Sequence, residues 1–186
     1  LTGNRSKYDT RISHRDSHFK ALIQTMDNNA VIGMHPSYAS YGNQNRFAEE
    51  KGRMESIIGH PVSISRQHFL RLSFPDTYRM LIRNGITEDY SLGFAEAPGF
   101  RAGIAHPFFF YDLKRDETTG LKLYPLVVMD RTFIRYLKLS PDEACRKIEQ
   151  IIGSVKETGG TIVSLFHNDI IADAQWRLLF EKVLGK

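Results

Sequence analysis

The stretch Val31-Ile32-Gly33-Met34-His35-Pro36-Ser37-Tyr38 decides how the rest of the chain is read. It is a short apolar run that ends on a histidine and then breaks at a proline. Such a run predicts a buried strand that delivers an imidazole to the rim of a sheet. The pattern recurs along the chain. Pro61–Ser65 runs into Arg66-Gln67-His68, and Gly85-Ile86 runs toward Asp89-Tyr90. Gly99-Phe100 runs into Arg101, Leu123–Met129 into Asp130, and Thr161–Phe166 into His167. In a parallel α/β architecture such endings share one face of the sheet, where ligands and chemistry gather. Histidines, arginines and aspartates at six such ends point to an enzyme.

Between these runs the spacing is helical. Asp16 or Ser17 can cap a first helix whose apolar face is Phe19, Leu22, Ile23 and Met26. A second helix is predicted from about Arg46 to Ile58, with Gly59 as its stop. Ser73-Phe74-Pro75 opens a third, which Gly85 closes. Ser140-Pro141-Asp142-Glu143 carries a capping box at the start of a fourth, which runs to Gly159-Gly160. A last helix is predicted over about Ala172 to Leu184. Pro107 to Pro125 differs in character: two aromatic and apolar runs flank the charged, turn-like Lys114–Gly120, which reads as an inserted β-hairpin.

Alternating helices and buried strands predict a parallel α/β fold, either an open sheet or a barrel. A closed (β/α) barrel takes eight strands and about 250 residues. Six strand-like runs in 186 residues, opening with a helix, predict a distorted or incomplete (β/α) barrel that lacks its first strand or two. No repeat or linker divides residues 1–186, so one domain is expected. The chain begins at Leu1 in a polar, turn-like stretch, and it is expected to belong to a longer protein.

The composition is that of an ordinary globular chain. No apolar run approaches the ~18 residues of a membrane span, and no signal-peptide pattern opens the chain. A net charge of +4, spread without a basic run, argues against a nucleic-acid partner. The single cysteine, Cys145, rules out an internal disulfide and a cysteine metal site; it is expected as a helix packing residue. A cytoplasmic location is the expectation that follows. Glycine-rich nucleotide loops and a Gly-x-Ser-x-Gly elbow are both absent. What remains is histidine, aspartate and arginine. Neutral imidazoles with a carboxylate suit a hydrolytic zinc site, an arginine can orient a carboxylate or hold an oxyanion, and a separate histidine can protonate a leaving group.

Met34-His35-Pro36-Ser37-Tyr38-Ala39-Ser40, Ser65-Arg66-Gln67-His68-Phe69, Gly99-Phe100-Arg101-Ala102-Gly103 and Leu165-Phe166-His167-Asn168 resemble, in this order, the motifs of polysaccharide deacetylases of the NodB-homology, carbohydrate esterase family 4 type. The resemblance runs from about Asp9 to Asn168 and points to a bacterial branch with a longer N-terminal region. It implies a distorted (β/α) barrel, a divalent metal that is usually zinc, and hydrolysis of N-acetyl or sometimes O-acetyl groups on a polysaccharide or oligosaccharide. By position, His35 resembles the first metal histidine and Arg101 the arginine that positions the catalytic base. Asp130 resembles the aspartate that tunes the acid histidine, and His167 resembles that general acid.

Two departures stand out. The family's second metal histidine lies four residues after the first, where this chain has Ala39. His68, on the next strand end, is the expected replacement. The family's Thr-Phe-Asp-Asp-Gly motif is absent and would lie upstream of Leu1; Asp9, in a polar loop, reads as a poor substitute. Tyr38, Arg66, Asp89 and Tyr90 are the candidate substrate-binding residues, with an Arg66–Asp89 ion pair or turn capping by Asp89 and Asp130 as the structural alternatives. His60 is expected to be structural, and His14, His18 and His106 to lie on the surface or in loops. Ala39 and the missing acidic motif leave open a non-catalytic carbohydrate-binding domain on the same barrel. A glycosidase would use Asp89 and Asp130 as its two carboxylates and leave the histidines idle.

Overall fold

Asp16 accepts a hydrogen bond from the Phe19 N–H and so starts the first helix, α1 (Ser17–Asn29). Asn43 does the same for α2 (Gln44–Ile58) through the Arg46 N–H. That helix ends at Gly59, whose φ of 83° suits a residue without a Cβ. These elements belong to a computed structural model that describes residues 3, 7–9 and 12–185. The chain divides into two compact units, Leu1–Ser91 with Phe108–Leu123, and Leu92–Pro107 with Tyr124–Lys186.

The first unit holds a four-stranded sheet. The elements after α2 are β1 (Ile64–Ser65), α3 (Asp76–Arg83), β2 (Glu88–Asp89), β3 (Phe108–Asp112) and β4 (Glu117–Leu123). Strand order is β1-β2-β4-β3. β1, β2 and β4 run parallel, with Ser65 beside Asp89 and Asp89 beside Leu123. β3 returns antiparallel to β4. The hairpin expected from the aromatic runs is present, but it is no appendage. β4 is a full member of the parallel sheet, and it begins at Glu117, inside the stretch read as a turn. The run from Val31 is reduced to one parallel bridge, Met34 to Ser65. Gly33 permits the approach, since a Cβ there would stand 3.0 Å from the Ile64 carbonyl oxygen. Phe47, Met34, Tyr78, Leu81, Leu121 and Leu123 are buried in this unit.

The second unit holds β5 (Val128–Met129), α4 (Pro141–Glu157), β6 (Ser164–Leu165), α5 (Asn168–Ile171) and α6 (Ala174–Val183). β5 and β6 pair in parallel, with Met129 beside Leu165. The chain leaves β5 through a single π-helical turn, Thr132–Tyr136. Ser140 and Glu143 make the expected reciprocal capping box on α4. Val127, Val128, Phe133, Ala144, Ile148 and Leu179 form the core, with Cys145 and Trp176 packed partly buried against it. Each fully buried large side chain here contributes roughly 1.5–3 kcal/mol.

Two expectations need correction. The architecture is mixed α/β, but neither sheet closes into a barrel among the described residues. The first sheet ends at β3, an antiparallel strand that cannot continue a run of parallel crossovers. Gly99-Phe100, expected as a strand, is irregular, and the Gly99 N–H donates to the Val127 carbonyl at 2.8 Å. Among the described residues no helix is long and apolar enough to cross a membrane.

Candidate active site

The functional side chains form two groups, one in each unit. In the first unit the bridge at Met34 sets the geometry. The Met34 N–H donates to Ile64 and the Arg66 N–H donates back to Met34, at 2.7 and 2.9 Å. His35 therefore emerges beside Arg66, and its Nδ1 lies 2.7 Å from the Arg66 carbonyl oxygen. A carbonyl can only accept, so Nδ1 carries the proton and Nε2 keeps its lone pair. Burial pushes the His35 pKa down to about 4, aided by the neighbouring His68, against the raising effect of the Arg66 carbonyl. The ring is neutral at pH 7, as a metal ligand must be.

His68 follows β1 and brings its ring centroid to 4.9 Å from that of His35. Its Nδ1 lies 3.0 Å from an oxygen of Asp9. The same oxygen accepts from the Tyr38 N–H at 2.8 Å. Glu50, buried on α2, accepts from the Ser37 N–H and hydroxyl at 2.7 and 2.5 Å. Two buried carboxylates thus hold the loop that follows His35. Asp9, read from sequence as a polar-loop residue, is instead buried against His68. Its partners lie 29 and 59 positions away, so no local spacing announces it.

Tyr38 carries the Arg71 guanidinium 4.1 Å from its ring centroid. Asp89 is fully buried, and its carboxylate accepts from the Ser65 hydroxyl and from the Ser91 N–H and hydroxyl. Burial raises its pKa to about 6, against the lowering effect of those bonds and of Arg66. Arg66 donates through Nε to the Tyr90 carbonyl at 3.2 Å, and the Tyr90 hydroxyl donates to Glu88. Asp89, Arg66 and Tyr90 therefore tie β1 to β2. His60 pairs with Asp27 at 2.8 Å, and burial and nearby arginines lower the pKa of the half-buried His14.

In the second unit Asp130 follows β5 and is fully buried. One of its oxygens accepts from the His167 N–H at 2.5 Å. The other accepts from the Arg131 N–H at 2.6 Å and faces His167 Nδ1 at 2.7 Å. The carboxylate thus fixes both the backbone and the ring of His167 and places the proton on Nδ1. Arg131 is held in turn by both oxygens of Asp169, at 2.8 and 3.1 Å. Arg101 donates to the Gly93 carbonyl at 3.0 Å.

The donor set suits a divalent metal in kind. His35 holds Nδ1 against an acceptor, the usual outer support of a metal-bound imidazole, and the His68 ring lies beside it. It falls short in number. Among the described residues no group of three or more His, Cys, Asp or Glu is arranged to hold a metal ion.

No protein-family model matches the chain, and no curated protein matches it. Solved structures do share the fold. A Mycobacterium smegmatis chain assigned by name to the polysaccharide deacetylases matches with a TM-score of 0.67 at 13% identity, covering 90% of this chain and 60% of its own. A Pseudomonas aeruginosa PAO1 chain assigned likewise matches with a TM-score of 0.63 at 12% identity, covering 89% and 56%. The likeness is one of fold, and this chain spans less than two thirds of either neighbour.

Proposed function

We propose that this chain is a metal-dependent hydrolase that removes N-acetyl, or O-acetyl, groups from a polysaccharide or amino sugar. One repeated observation carries the reading. Two histidines, His35 and His167, each have Nδ1 against an acceptor, the Arg66 carbonyl and Asp130, and His68 brings its Nδ1 to 3.0 Å from Asp9. In His35 and His167 that arrangement fixes the tautomer and gives Nε2 to chemistry, as metal ligands and general acids require. The fold shared with chains named as polysaccharide deacetylases supports the same reading.

In this proposal His35 and His68 would hold a divalent metal such as zinc. When bound, such an ion polarises an acyl carbonyl and makes water a better nucleophile at neutral pH. Asp9, beside His68, and Glu50 keep the loop after His35 in place. His167, in the second unit, is assigned the part of general acid toward the leaving amine or alcohol. Asp130 orients the ring through Nδ1 and holds the His167 backbone N–H. Arg101 is assigned to positioning and Tyr38 to substrate contact. A second reading, a carbohydrate-binding domain without catalysis, is favoured by one observation: among the described residues no group of three or more His, Cys, Asp or Glu is arranged to hold a metal ion.

Elemental analysis after zinc loading tests the proposal. About one zinc per chain is expected, lost in His35→Ala and in His68→Ala and kept in His167→Ala. No zinc uptake by the folded wild-type chain would favour the binding reading.

A further inference from the structure

His68 is followed by Phe69 and Leu70, both in the left-handed backbone region, with φ of 58° and 53°. Non-glycine residues avoid this region because Cβ crowds the carbonyl, and two in succession are unusual. The consequence is a reversal of side chains. Leu70 enters the core, 7% exposed, while Phe69 is left 55% exposed. A ring half in water does little to offset an unfavourable backbone. Such positions persist at ligand sites, where the surrounding structure holds them in place.

Phe69 is not a lone exposed residue. Tyr8, 47% exposed, has its ring centroid 6.1 Å away, and Tyr38 lies at 5.6 Å. The two tyrosines are 4.4 Å apart. Phe69 stands nearly perpendicular to both, at interplanar angles of 83° and 87°. Phe69 and Tyr8 therefore present exposed aromatic surface against Tyr38, whose ring is stacked by Tyr8 and Arg71, and Phe69 also touches His68, with centroids 4.7 Å apart. Cations border it. Arg71 stacks between Tyr38 and Tyr41 at 4.1 and 3.9 Å, and Lys7 lies 5.4 Å over Tyr8. An apolar corner with a hydrogen-bonding border matches a pyranose, whose faces are C–H and whose rim is hydroxyl. A hydrophobic peptide would meet an unfavourable polar border.

We propose that Phe69, Tyr8 and Tyr38 form a stacking subsite for a sugar ring of a glycan, beside the His35–His68 pair. The proposal rests on the hydrolase reading for its substrate class, but the test separates the two. Calorimetric titration with tetra-N-acetylchitotetraose and with cellotetraose is compared for wild type, Phe69→Gly and Phe69→Leu. Glycine accepts the left-handed backbone, so Phe69→Gly removes the ring without adding strain. Wild type is expected to bind at least one of the two tetrasaccharides, and both variants to bind it about tenfold more weakly. Zinc uptake should be unchanged, and the melting temperature of Phe69→Gly should stay within about 2 °C of wild type. Binding by Phe69→Leu or Phe69→Gly equal to wild type overturns the subsite, and so does a wild type that binds neither sugar. Ring-dependent binding without acetate release leaves the subsite standing and removes the hydrolase reading. Acetate release with an unchanged KM in Phe69→Gly does the reverse.

Discussion

Replacing Asp130 with asparagine removes a charge while keeping the shape, and its effect follows from three contacts. The fully buried carboxylate accepts from the His167 N–H at 2.5 Å, the Arg131 N–H at 2.6 Å and the His167 ring at 2.7 Å. Asparagine has one acceptor oxygen. Either orientation sets its NH2 against a buried backbone N–H, donor facing donor. An orphaned buried donor costs about 1–3 kcal/mol, and the remaining bonds lose their charge assistance, for a total of roughly 2–4 kcal/mol. For a chain of this length about 1 kcal/mol moves the melting temperature by ~2–4 °C. Thermal unfolding by circular dichroism should therefore show Asp130→Asn lowered by about 5–12 °C. His167→Ala keeps both backbone bonds to Asp130 and should lose less. A shift under about 2 °C for Asp130→Asn, or a larger loss for His167→Ala, would refute the reasoning.

Asp89 predicts a pH dependence of definite sign. Its folded pKa is raised from 3.8 to about 6, so the native state takes the proton first as pH falls. The group opposes folding at pH 7, and this opposition disappears as pH drops through about 6 toward 4, a gain of roughly 2–3 kcal/mol. Asp89→Asn should lack that gain, so a wild-type-minus-variant stability difference that stays flat from about pH 7 to 4 would contradict the assignment. Ser140→Ala removes one side of the capping box and should cost about 1 kcal/mol by urea unfolding, with an unchanged midpoint as the contrary result.

Local signals were legible in sequence because they act over three or four residues. Asp16, Gly59 and the Ser140–Glu143 box each sit at the helix end that the spacing indicated. The strand runs were legible as buried segments, but their pairing was not. β1, β2, β5 and β6 are two residues long, and nothing local says that the sheet ends at the hairpin instead of closing. The hairpin was visible in its aromatic runs, whereas the place of β4 beside β2 depends on partners 34 residues apart. His35, His68, Asp130 and His167 could be named as candidates because each follows an apolar run. Asp9 was read only as a poor substitute for the missing acidic motif, because it lies in an irregular stretch, and Glu50 was not singled out, because it looks like any helical glutamate. Only tertiary contact shows that both support the loop after His35.

The most direct test of the proposed chemistry is acetate release from tetra-N-acetylchitotetraose and from an O-acetylated xylan by the zinc-loaded chain, beside His167→Ala. The account predicts release from at least one of them, and a fall of roughly 100-fold or more in kcat for the variant with its zinc retained. No acetate from either substrate, or equal rates for wild type and His167→Ala, would contradict it.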